Sequence, residues 1–221
     1  MKVLVVGASR GIGREFVRQY RANGADVTAT ARSDDGLASL RALGATPIRL
    51  DIADAASAGG LASQIDGEAF DLAIVNAGVY GPRTSALELP SEAEFDLVMR
   101  TNVLGAMRVI AQLEAALAPG AKLVALSSGM ASIGGRAGSS GWLYSASKAA
   151  LNSVVRSAAF ALGGRAVCVA VSPGWVQTDM GGAAAPLTAE RSVADLRGVI
   201  ARLGPADNGS FLKHDGHLLP W

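Results

Sequence analysis

Tyr144 and Lys148 stand four residues apart in the run YSASK, downstream of the pair Ser127-Ser128. Four residues is just over one helical turn, so on a helix the phenol and the ammonium share a face. An ammonium beside a phenol favours the phenolate. A tyrosine that ordinarily titrates near ~10 then becomes a usable acid or base at neutral pH. A serine hydroxyl delivered from a strand end would complete a proton-transfer site for a carbonyl or an alcohol. Helical spacing alone also arises by coincidence, so the surrounding elements have to carry the argument.

Those elements follow a repeating pattern. Short apolar runs alternate with longer amphipathic segments, as in βαβ units on a parallel sheet. Strands are predicted at 2–6, 26–30, 46–50, 72–76, 122–127 and 165–172, with a short last one near 210–213. Several are apolar at consecutive positions, which suits strands covered on both faces. Helices are predicted at 12–23, 37–43, 55–65, 92–117, 144–162 and 193–203, several stopping at Gly24, Gly44, Pro119, Gly163 or Gly204. The expected architecture is α/β, a Rossmann-type doubly wound sheet of about seven strands forming one domain over residues 1–221. The segments 133–142 and 181–188 are rich in small residues and follow strand ends, so they read as loops over a ligand.

Composition narrows the partner. Twenty basic and nineteen acidic residues leave a net charge of +1, with no long run of either sign. Neither nucleic acid nor an anionic membrane is indicated, and a neutral small molecule is the expected ligand. Cys168 is the single cysteine, set in an apolar run where it reads as a small buried hydrophobe. His214 and His217 flank the turn signal Asp215-Gly216, which argues against a shared metal site. No stretch reaches the ~18 apolar residues of a membrane helix. The start, MKVLVVGASRGIG, reads as a first strand rather than a cleaved leader, and a reducing cytoplasmic setting is expected.

That first strand runs into Gly7-Ala8-Ser9-Arg10-Gly11-Ile12-Gly13 and then a helix. Glycines there permit a tight turn and close backbone approach, and a helix N-terminus offers free N–H groups to phosphate. The second strand ends at Arg32, where an NAD site would place an acid for the ribose 2′-OH. With Arg10 in the loop, two guanidiniums suit a 2′-phosphate, so NADP(H) is favoured over NAD(H). Asp34 and Asp35 come later and fit the start of the next helix. Asp51-Ile52 could accept from an adenine amino group and pack on its ring, although an Asp there could equally cap a helix. Asn76-Ala77-Gly78, at the end of the fourth strand, leaves room for a cofactor.

Together these residues resemble the short-chain dehydrogenase/reductase family over nearly the whole chain. Gly7–Gly13 resembles its coenzyme loop, Asn76-Ala77-Gly78 its NAG motif, and Tyr144–Lys148 its YxxxK active site. Pro173-Gly174 followed by Thr178 resembles its PG segment. The compact length and the ending NGSFLKHDGHLLPW are similar to the C-factor-like and sniffer-like carbonyl reductase branch.

The resemblance implies Tyr144 as general acid/base and Lys148 as the residue that lowers its pKa and bonds the nicotinamide ribose. It implies Ser128 rather than Ser127 on the substrate oxygen, and Asn102 holding a water that relays protons to Lys148. Thr178 and the Val176 backbone would bond the carboxamide. By resemblance, too, the chain forms a homodimer or homotetramer through the long helices at 92–117 and 144–162. Fifteen residues separate Ser128 from Tyr144, more than is common in the family, and the surplus lies beside the expected substrate. Trp142, Leu143, Met130, Trp175 and Met180 are expected near a partly hydrophobic ligand. The reading that follows is an NADP(H)-dependent oxidoreductase acting on a small carbonyl compound or secondary alcohol. A dinucleotide-sensing or signalling protein with little turnover is the alternative.

Overall fold

A computed structural model describes residues 1–221. Its strands are β1 (Lys2–Val6), β2 (Asp26–Ala31), β3 (Thr46–Arg49), β4 (Phe70–Val75), β5 (Leu117–Leu126), β6 (Ala166–Ser172), β7 (Val176–Gln177), β8 (Leu187–Thr188) and β9 (Phe211–Lys213). Seven of them form one sheet in the order β3-β2-β1-β4-β5-β6-β9, every neighbouring pair parallel. The order reverses between β1 and β4, which opens a crevice at the carboxyl ends of the strands.

Alternation along the buried strands builds two cores. Val3, Val5, Leu72, Ile74, Val124 and Val169 face one side and pack with Phe16, Val17, Leu37, Leu40 and Leu196. These come from α1 (Gly11–Ala22), α2 (Asp34–Ala42) and α8 (Ala189–Arg202). Leu4, Val6, Ala73, Leu123 and Cys168 face the other side, against Leu61, Val109, Leu113, Leu151 and Val155. Those belong to α4 (Leu61–Gln64), α6 (Ala106–Leu113) and α7 (Trp142–Ala161). Cys168 is free and buried, in accord with its apolar run. Each fully buried Leu, Val or Phe contributes roughly 1.5–3 kcal/mol, so these two layers hold the strand ends that carry the site.

Three predicted elements are corrected. The helix expected at 55–65 is two short pieces, α3 (Ala55–Gly59) and α4, broken where Gly59-Gly60 weakens helical propensity. The helix expected at 92–117 ends earlier and is not regular. After α5 (Glu92–Met99) the backbone widens into a π-helical turn over Arg100–Gly105, continues as α6, and closes in a 3-10 turn at Glu114–Ala116. Leu117 already belongs to β5, so Pro119 lies inside the irregular start of a strand, where the β4–β5 register shifts. Finally, part of 181–188 is ordered as β8, which pairs with β7 in a two-stranded ribbon.

Asp34 and Asp35 do open α2, behind a Ser33 cap. No helix is long and apolar enough to cross a membrane.

Candidate active site

Gly7, Ser9, Arg10, Gly11, Ile12, Arg32, Asp51, Ile52, Asn76, Ala77, Gly78, Tyr144, Lys148, Pro173 and Thr178 line one cleft at the sheet's switch point. Gly13, Gly174, Val176, Ser128 and Asn102 are not among the residues that line it. A Cβ on Gly13 would run into the Gly7 carbonyl oxygen and the Asn76 side-chain amide, so only glycine lets α1 begin this close to the loop. Asn76 Nδ2 donates to that same Gly7 oxygen at 2.5 Å, tying the end of β4 to the loop. Thr30 Oγ1 accepts from the Gly7 N–H at 2.9 Å, a contact on β2 that no motif announced.

The start of α1 differs from those of α2, α5 and α8. Ser33, Ser91 and Thr188 cap α2, α5 and α8 with side-chain hydrogen bonds, and each of those first turns carries an acid. Arg10 caps α1 with no side-chain bond, and its first turn holds no acid. Free N–H groups and a positive dipole end therefore face the cleft, a donor set matched to a pyrophosphate.

The two arginines sit at the rim in water. Arg10 Nη1 lies 2.9 Å from Asp179 Oδ2, with both side chains about three-quarters exposed. Arg32 Nη1 lies 3.7 Å from Asp51 Oδ2. Such exposed pairs are worth about 0–1 kcal/mol, little enough for a bound phosphate to displace. Asp51 does not cap a helix. Its Oδ1 accepts from the Ala53 N–H at 3.0 Å while Asp54 caps α3.

Deeper in the cleft the polar groups are buried and joined. Tyr144 and Lys148 lie on the first turns of α7, 7% and 4% exposed. Lys148 Nζ donates to the Leu126 carbonyl at 2.7 Å and sits 5.9 Å from the Tyr144 ring centre. Burial lowers its pKa to about 8. Lys148 does not figure among the influences on the Tyr144 phenol in the chain alone. Burial pushes the Tyr144 phenol up to about 12, the hydrogen bond with Ser128 pulls the other way, and the nearby Tyr80 phenol adds to the rise. Removing the phenolate from water costs more than its neighbours return.

Asn102 lies in the π-helical turn, which aims it inward. Its Nδ2 donates to Val79 O at 2.8 Å and to Ser147 Oγ at 2.9 Å, and its Oδ1 accepts from the Val79 N–H at 2.8 Å. Ser147 Oγ in turn donates to the Tyr144 carbonyl at 2.7 Å. Ser147 was missed by sequence reasoning, although its place three residues after Tyr144 puts it on the same helical face. The two serines differ in their surroundings, and it is Ser127, not the expected Ser128, that lines the cleft. Ser127 Oγ donates to buried Asn152 Oδ1 at 2.6 Å, whereas Ser128 caps the turn Gly129–Ala131 and reaches Tyr144.

Thr178 Oγ1 accepts from the Gly181 N–H at 3.1 Å and faces Gly11 across the cleft. Of the apolar residues expected near the ligand, Met180 lines this cleft and Met130 lines a second cavity. Leu143 is buried, Trp142 Nε1 donates to Glu88 O, and Trp175 is exposed.

A family model described as enoyl-(acyl carrier protein) reductase matches residues 7–207. The C-signal protein of Myxococcus xanthus is 38% identical over 154 residues, which take in 68% of this chain and 92% of that protein. The carbonyl reductase Sniffer of D. melanogaster superposes with a TM-score of 0.90 at 26% identity, over 100% of this chain and 99% of that one. A carbonyl reductase from Pseudomonas aeruginosa PAO1 in complex with NADP superposes with a TM-score of 0.88 at 32% identity, over 100% and 99%.

Proposed function

The chain belongs to the short-chain dehydrogenase/reductase family, and we propose that it is an NADP(H)-dependent oxidoreductase that reduces a small carbonyl compound or oxidises the matching secondary alcohol. One observation carries the reading: the buried Tyr144–Lys148 pair and the uncapped N-terminus of α1 open into the same cleft. The P. aeruginosa neighbour with bound NADP supports the choice of cofactor, as do Arg10 and Arg32 at the rim, whose planar forks match phosphate oxygens.

When bound, NADPH would supply the hydride. The residues do the rest. The N–H groups of α1 would hold the phosphates, Arg10 and Arg32 the 2′-phosphate, and Asp51 and Ile52 the adenine. Pro173, Gly174, Val176 and Thr178 would border the nicotinamide end. Ser128 and Tyr144 hydrogen-bond the substrate oxygen, and Tyr144 gives its proton to that oxygen as the carbon is reduced. A phenol kept protonated by burial stands ready as the donor. Lys148 neighbours the resulting phenolate, and Asn102, bonded through Ser147 to the Tyr144 backbone, holds the relay in place.

Exposed Phe95, Leu97, Leu104, Met107 and Phe160 on the outer faces of α5 to α7 support assembly as a homodimer or homotetramer through these helices. The lone buried thiol of Cys168 suits a reducing cytoplasm. The test is turnover of NADPH with a panel of aldehydes and ketones. Tyr144→Phe should lower kcat on the order of 10³-fold with NADPH binding unchanged. Equal turnover in both would sink the mechanism. Tight NADPH binding with no turnover of any carbonyl would favour the sensing alternative.

A further inference from the structure

Tyr80 stands two residues after the Asn76–Gly78 segment and covers one face of Tyr144. The two rings stack with centres 4.6 Å apart and planes 22° apart. Arg83 also lies over the Tyr80 ring, its guanidinium carbon 5.0 Å from the ring centre, and donates from Nη2 to the Met180 carbonyl at 2.6 Å. The Tyr80 hydroxyl abuts Gly141, the residue that caps α7. A Cβ at Gly141 would collide with that hydroxyl, and φ there is +60°. The Gly141 N–H donates to Thr84 O at 3.0 Å, closing the loop that carries Tyr80 onto the start of the catalytic helix.

We propose that Tyr80 is a positioning residue for Tyr144: its ring, clamped between Arg83 and Gly141, fixes the plane of the phenol and shields one face of it from water. This rests on the reading of Tyr144 as the proton donor. An aromatic stack contributes about 0.5–1.5 kcal/mol beyond its buried area, enough to select one ring orientation among several. Orientation is what a donor needs, since a reacting group misplaced by about 1 Å can lose ~10²-fold in rate. Lys148, on the same helix, and Ser128, on the turn after β5, are the other polar groups facing the phenol. Neither covers its face as Tyr80 does. Arg83 extends the contact to Met180 on the cleft's border, so the same stack links the catalytic helix to the segment around Thr178.

The chain has three tyrosines, Tyr20, Tyr80 and Tyr144, so nitration by tetranitromethane read peptide by peptide reports each one. Buried Tyr20 serves as the reference for general loosening. In Tyr80→Leu, nitration of Tyr144 should rise about tenfold while Tyr20 stays protected, and Tyr80→Phe should leave Tyr144 as protected as in the wild type. In the same Tyr80→Leu protein, kcat should fall about tenfold with KM for NADPH within about twofold. Tyr144 equally protected in Tyr80→Leu, or exposed only together with Tyr20, would overturn the proposal, as would an unchanged kcat. Wild-type protein that turns over no carbonyl would count against the dehydrogenase reading alone. The nitration contrast decides the Tyr80 contact either way.

Discussion

At the nucleotide end of the cleft, Arg10 and Arg32 hold their guanidiniums in water, each beside a single carboxylate. At the catalytic end, Tyr144, Lys148, Asn102 and Ser147 are all buried; hydrogen bonds run from Asn102 through Ser147 to the Tyr144 carbonyl, and Lys148 donates to the Leu126 carbonyl. Groups in water act singly, are screened by salt, and give way to a ligand at little cost. Groups in a buried network are strengthened by their surroundings and fail together, because each lost partner leaves another polar atom stranded. One end is thus built to exchange partners and the other to hold geometry.

The largest expected effect tests the closed end. Lys148→Met removes the ammonium next to Tyr144 while filling its space with an apolar chain of similar length. Turnover should fall on the order of 10³-fold, with NADPH affinity, read by fluorescence titration, within about tenfold. A loss of tenfold or less in kcat would mean that the catalytic end is no cooperative unit.

Next comes the one part of the nucleotide end that is not open, the backbone crossing at Gly13. Gly13→Ala forces a methyl against the Gly7 oxygen and the Asn76 amide. Relief requires moving the loop that faces the phosphates. NADPH affinity should drop about 100-fold, roughly 2.7 kcal/mol, with kcat at saturation little changed. Unaltered binding would show that the loop gives more easily than its packing indicates.

How far the chain revealed this contrast in advance depends on where each constraint lies. The open end was legible. Gly7 and Gly11, both at positive φ, are local requirements of a turn, the six early strands are local hydrophobic runs, and Arg32 is defined by where β2 stops. The closed end was legible only as a list of residue types. Asn102 falls inside the helix predicted at 92–117, and its reason is tertiary. Its partners Val79 and Ser147 are 23 and 45 residues away, and the π-helical turn exists to meet them. The upward pKa of Tyr144 was hidden for the same cause. The i,i+4 spacing shows that Lys148 is near, but not that Tyr80 and the packing of α7 keep water from the phenol. Ser147 was in plain view within YSASK and carried no motif weight.

Arg32→Asp sharpens the contrast from the open end. Removing one guanidinium and adding a carboxylate should weaken NADPH about 10- to 100-fold, with NADH changed less than about threefold. The NADPH loss should shrink as salt is raised, because Arg32 is exposed. Equal losses for both cofactors would remove the 2′-phosphate argument.

The smallest effect is a pH dependence that only the buried end should show. Burial lowers Lys148 from an ordinary value of 10.5 to about 8. Above pH ~8 the folded protein releases this proton while the unfolded chain keeps it until about 10.5, so this lysine makes stability rise with pH across that window. Tyr144, raised to about 12, and Cys168, raised to about 11, act in the opposite sense at higher pH, where the unfolded chain loses their protons first. Both are present in Lys148→Met, so the difference between wild type and variant isolates the lysine. Denaturant unfolding at pH ~7.5 and ~9 should show the stability difference moving by on the order of 1 kcal/mol in favour of the wild type. The same comparison on Arg32→Asp, which leaves Lys148 in place, should give no such change. If the two variants respond alike, burial does not set the charge of Lys148, and the two ends of the cleft differ less than their hydrogen bonds suggest.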